Sequence, residues 1–162
     1  MNENDNVKMT HTIDMTPSPK IYRVLSRQEF ELWQCLAELI DNSIDGFTTG
    51  RENKMVLATD PQVSITRKLG EYISIVDNAS GMDEETLEKS IKAGYSGNDP
   101  YDKLGLFGMG FNIATVKLGT VTTVETTTKD SDVWHGVIID INQLEKRGDF
   151  QAQGFTRPKY DG

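Results

Sequence analysis

Residues 37–47, Ala37-Glu38-Leu39-Ile40-Asp41-Asn42-Ser43-Ile44-Asp45-Gly46-Phe47, place three carboxylates and a carboxamide at the end of a mostly apolar helical run. Taking an unpaired polar group out of water costs roughly 1–3 kcal/mol, and a lone charge costs far more. Glu38, Asn42 and Asp45 are spaced i, i+4 and i+7, so they form one stripe of the helix with Asp41 at its edge. The stripe faces solvent, where its acids are ordinary surface groups, or a polar cavity or ligand. In the second case the amide oxygen suits a hydrated divalent cation, and a carboxylate one turn away can orient or deprotonate a water.

Upstream, Ser26-Arg27-Gln28-Glu29 reads as a capping box flanked by Leu25 and Phe30, which predicts a helix starting near Arg27. Its apolar positions, Phe30 to Phe47, cover more than half the circumference and predict an interior helix. Cys35 lies inside it as a packed thiol, and as the single cysteine it allows no internal disulfide. Further upstream, Val7, Met9, Ile13 and Met15 alternate with polar neighbours, which predicts a half-buried strand ended by Pro17 and Pro19.

Downstream, Gln62 to Lys68 and Tyr72 to Asp77 read as strands joined in a hairpin through Leu69-Gly70. The second runs into Asp77-Asn78-Ala79-Ser80-Gly81-Met82. A carboxylate at a strand end, a turn with Gly81 and a polarizable Met82 suit a flat heterocycle with an exocyclic amine. A strand closing in an Asx-turn gives the same letters. Asp83 caps a short helix, Glu84 to Ala93, and the polar run from Tyr95 to Lys103 predicts a mobile loop. Gly105-Leu106-Phe107-Gly108-Met109-Gly110 then opens a helix that ends at Gly119. Backbone N–H groups at such a helix start can bind phosphate, with Lys103 nearby, although a packed turn also uses this pattern. The spacing is neither the Rossmann fingerprint nor a Walker loop. Two strands, Val121 to Thr128 and Val133 to Ile141, follow, and the last twenty residues show no period.

The 162 residues, 36% hydrophobic and 26% charged, fit one domain. A net charge of −8 argues against a nucleic-acid or anionic-membrane surface on this chain. Without a secretory core at the N-terminus or a run of about 20 apolar residues, a cytoplasmic protein is expected.

Together and in this order, the three motifs supply the parts of a magnesium-nucleotide site, and here the chain resembles the GHKL superfamily of ATPases. That group includes DNA gyrase, the ninety-kilodalton heat-shock chaperones, sensor histidine kinases and MutL-type repair proteins. Glu38 to Asp45 resembles its first motif, Asp77 to Met82 its adenine motif, and Gly105 to Gly110 its lid motif; the run from Gly94 through Phe111 is similar to MORC-type ATPases. The resemblance implies an α/β two-layer sandwich, a mixed β-sheet covered on one face by helices, known as the Bergerat ATP-binding fold. It implies that Glu38 activates the attacking water, that Asn42 binds Mg2+, and that Asp77, with Gly81 and Met82, receives adenine. Asp45, Lys103 and the loop Gly105, Leu106, Phe107, Gly108, Met109, Gly110 and Phe111 would complete the ATP or ADP site. Glu38 marks the hydrolysing branch.

Ala79 departs from the glycine usual in the adenine motif. Neither the threonine expected on a later strand nor the lysine of a following domain can be picked out. The expected organisation is an arm over residues 1–25 and an ATP-binding domain over 26–162, cut short at its C-terminal end. Slow hydrolysis and an ATP-dependent homodimer of the full-length protein are expected. A histidine-kinase-type phosphotransfer domain and a non-hydrolysing nucleotide-binding module are the alternatives.

Overall fold

The structure, a computed structural model, describes residues 12–55, 58–92 and 109–159. Residues 12–18 form no strand and are exposed, so the half-buried strand expected from Val7 to Met15 is not found over its described part, where Ile13 and Met15 bury nothing; Val7 and Met9 lie outside the described residues. Pro19, fully buried, starts the first helix, α1 (Ile21–Leu25), by offering its carbonyl to the Tyr22 amide at 3.1 Å. Ser26 ends α1, its amide returning to the Tyr22 carbonyl at 2.9 Å and its hydroxyl to that of Arg23 at 2.9 Å. The residue expected to start the long helix therefore closes a shorter one. α2 (Leu32–Glu52) starts after Glu31, whose amide donates to the Gln34 side chain at 2.7 Å. The capping pair lies five residues later than the sequence suggests, because Glu31 with Gln34 competes successfully with Ser26 and Glu29.

α2 is less interior than its composition implies. Cys35, Ser43, Phe47 and Gly50 are buried, while Leu32, Trp33 and Ile44 are exposed. β1 (Val63–Lys68) and β2 (Tyr72–Asp77) form the expected hairpin, turned at Gly70 with φ +76°. α3 (Glu84–Ile91) is capped by Asp83, which accepts from the Thr86 amide at 2.8 Å. α4 (Gly110–Leu118), β3 (Val121–Thr126) and β4 (Val133–Asp140) follow.

The final stretch is not irregular. Asp140 caps α5 (Ile141–Arg147) by accepting from the Gln143 amide at 3.2 Å, and Gly148, at φ +78°, ends it. β5 (Gln153–Pro158) then pairs with β4, and Phe155 lies over Gly136, where a Cβ would come within 2.2 Å of its ring.

The class is the expected α/β sandwich, with α1, α3 and α4 against one face of the larger sheet. Tyr22, Leu25, Leu87, Ile113, Val137, Ile139, Ile141 and Leu144 make up its core. The strand pairing corrects the expected single mixed sheet. Among the described residues every ladder is antiparallel, in a β1–β2 sheet and a β3–β4–β5 sheet. The end of β2 meets the end of β3 through the Thr126 side chain, which accepts from the Met82 amide at 2.8 Å, so no backbone ladder joins them there.

Candidate nucleotide site

α2 carries both ends of the site. Glu38 is half-buried, and its carboxylate lies against the first residue of α4: a Cβ on Gly110 would come within 1.8 Å of Glu38 Oε1. Burial pushes the Glu38 carboxyl above the usual glutamate range, and the nearby charges of Asp41 and Asp45 push the same way. Met109 makes no side-chain cap to α4, and among the described residues no side chain caps the amides of its first turn, a position suited to an anion. A carboxylate held among like charges and partly out of water is not a stabilising choice for a fold. It is suited to taking a proton.

Five residues further along α2, about 7.5 Å along its axis, Ser43 is buried and its hydroxyl donates to Asp77 Oδ2 at 2.9 Å. The other oxygen, Oδ1, accepts from the Ala79 amide at 3.0 Å in an Asx-turn. Asn78 ties the turn to the start of β1, accepting from the Gln62 amide at 2.8 Å and donating to the Asp60 carbonyl at 2.9 Å. Asp77 is thereby oriented on both oxygens yet remains exposed. Gly81, at φ +70°, brings the turn so near β3 that a Cβ would sit 1.9 Å from the Thr127 carbonyl oxygen. The departure at Ala79 is accommodated across the site: its methyl lies 3.3 Å from where a Cβ on Gly46 would be.

Of the residues singled out in the sequence, Glu38 and Gly110 meet directly, and Asp77 is joined to α2 through Ser43. Asn42 and Asp45 are exposed on α2. Met82, Met109 and Phe111 pack against the core. Lys103, Gly105, Leu106, Phe107 and Gly108 lie outside the described residues. Two participants escaped the sequence. Ser43 reads as a small residue in a motif until Asp77 is placed beside it. Thr126 is one of six threonines between Thr120 and Thr128, and only its contact with Met82 singles it out.

The family description "Histidine kinase-, DNA gyrase B-, and HSP90-like ATPase" matches residues 30–161, most of the chain. The chain belongs to this ATPase family. Three Arabidopsis thaliana proteins are similar over about half of it: Protein MICRORCHIDIA 3 is 30% identical over 84 residues, MICRORCHIDIA 1 31% over 84, and MICRORCHIDIA 4 36% over 87. These matches cover 52%, 52% and 51% of the chain but only 14%, 13% and 10% of the relatives' own lengths. The MORC-type resemblance is thus found within the family.

Proposed function

We propose that the chain binds ATP and ADP with magnesium and hydrolyses ATP slowly, as the nucleotide module of a larger protein. This rests on one observation: the Glu38 carboxylate of α2 lies against the start of α4, while α2 also orients Asp77 through Ser43. The adenine amine donates to Asp77, with Gly81 and Met82 shaping the pocket and Thr126 holding the Met82 amide. Phosphates take the amides of the first turn of α4, while the absent Cβ of Gly110 leaves the room the Glu38 carboxylate occupies beside them.

Among the described residues no three His, Cys, Asp or Glu side chains converge on a metal position. The donors fit magnesium brought in by the nucleotide, with the Asn42 amide oxygen, phosphate oxygens and water as ligands. The bound ion would offset phosphate charge. Glu38 accepts a proton from the attacking water as its oxygen bonds to the γ-phosphorus, and the bond to the bridging oxygen breaks to leave ADP and phosphate. Glu38 favours hydrolysis over phosphotransfer to a partner histidine.

Calorimetric titration with ADP, with and without magnesium, tests the site. Binding that strengthens with magnesium is expected. No binding at millimolar ADP in either condition would overturn the proposal and favour a pocket kept for architecture.

A further inference from the structure

We propose that His135 is a positioning residue for the adenine turn, acting through Thr126; this rests on the nucleotide site proposed above. His135 lies directly opposite Thr126 in the β3–β4 ladder, and opposed residues on adjacent strands point to the same face with Cβ atoms about 5 Å apart. That face is the inner one, because Val137 and Ile139, two and four residues along β4, are buried in the core. Thr126 is only 6% exposed. Its oxygen accepts from the Met82 amide at 2.8 Å, and among the described residues no acceptor is recorded for its own proton. The imidazole Nδ1 of His135 is buried and, among the described residues, has no hydrogen-bond partner.

A buried donor and a buried acceptor of complementary need thus sit on neighbouring strands. The two are not hydrogen-bonded directly, and leaving each unmatched is costly, which favours their joining through one water. Thr156, opposite His135 on its other side, is exposed and can turn to solvent instead. Asp83, whose carboxyl the Thr86 side chain and amide hold below the usual carboxylate range, fixes the other end of the turn as the α3 cap.

The consequence is specific to the base. With its proton directed to His135 through that water, the Thr126 hydroxyl presents a lone pair to the Met82 amide, and the turn from Asp77 to Met82 is held in one place. Released, the turn drifts and Asp77 loses its alignment with an exocyclic amine. The phosphate end, on Gly110 and Glu38, is untouched. Adenine and hypoxanthine nucleotides differ at that amine, so the ratio of ADP to IDP affinity reports the turn, whereas loss of fold lowers both alike.

The test uses calorimetric titration of the 162-residue chain with ADP and IDP, together with thermal unfolding. His135→Phe, which keeps the volume, should lower the ADP:IDP affinity ratio about three- to tenfold. His135→Asn, whose amide reaches the position of Nδ1, should restore most of it. An unchanged ratio in His135→Phe, or an equal loss in both variants, overturns the inference while leaving the nucleotide site standing. Absence of ADP binding by the unsubstituted chain overturns both. Should His135→Phe fail to fold, Thr126→Val and His135→Leu replace it in a double-mutant cycle on the ratio. Coupled effects support the relay, and strictly additive ones overturn it.

Discussion

Asp77 is the residue whose loss should be felt first. The uncharged carboxamide introduced by Asp77→Asn weakens a charge-assisted hydrogen bond worth about 1.5–3 kcal/mol, so ADP affinity in that variant should fall about ten- to a hundredfold. Calorimetry showing wild-type affinity would remove adenine from this turn. Glu38 makes a different prediction because its carboxyl is raised by burial and like charge. A carboxyl with a raised folded-state pKa burdens the fold where it is ionised. The burden is absent below the unfolded pKa, near ~4, grows as pH rises through the interval up to the folded value, and persists above it. Glu38→Gln should therefore raise the unfolding temperature at neutral pH, lose that gain at low pH, and abolish turnover with ADP binding nearly intact. Unfolding scans at the two pH values and a phosphate-release assay check both halves. A variant that turns over normally would transfer the base to another group.

At the scale of elements, legibility followed local chemistry. The β1–β2 hairpin, the Asp83 cap and the span of α4 were plain because each is fixed within a few residues by alternation, a cap or a terminal glycine. α1 was hidden because five residues show no period, and Tyr22 and Leu25 are held by the core they help make. α5 carried a readable signal, Asp140 before it and Gly148 after it, but the preceding strand runs straight into the cap. The candidate site was legible where one motif supplied it and illegible where contacts cross elements, as with Ser43 and Thr126. Two element junctions should respond oppositely to a methyl group. In Gly81→Ala the clash is with the Thr127 backbone at positive φ, so unfolding temperature and ADP affinity should both fall. In Gly110→Ala the clash is with the end of a flexible Glu38 side chain, which can swing aside. The fold should survive and turnover should not, as calorimetry beside the phosphate-release assay would reveal; a fully active Gly110→Ala would dissociate α4 from the catalytic end.

At the scale of the molecule, no helix among the described residues is long and apolar enough to cross a membrane. Ile13 and Met15 are 75% and 88% exposed on the segment ahead of α1, in the alternating pattern the sequence shows from Val7. We propose that this segment pairs with a second copy when ATP is bound. Light scattering of the longer protein should show an ATP-dependent rise in mass that an arm carrying Ile13→Asp and Met15→Asp loses; a monomer indifferent to ATP would count against it. Across the site, the close approach of Gly46 to Ala79 makes two distant sequence positions epistatic. A methyl at residue 46 fits only where Ala79 yields by a few tenths of an ångström. What either position tolerates thus depends on what stands at the other, a dependence that a survey of single substitutions does not reveal.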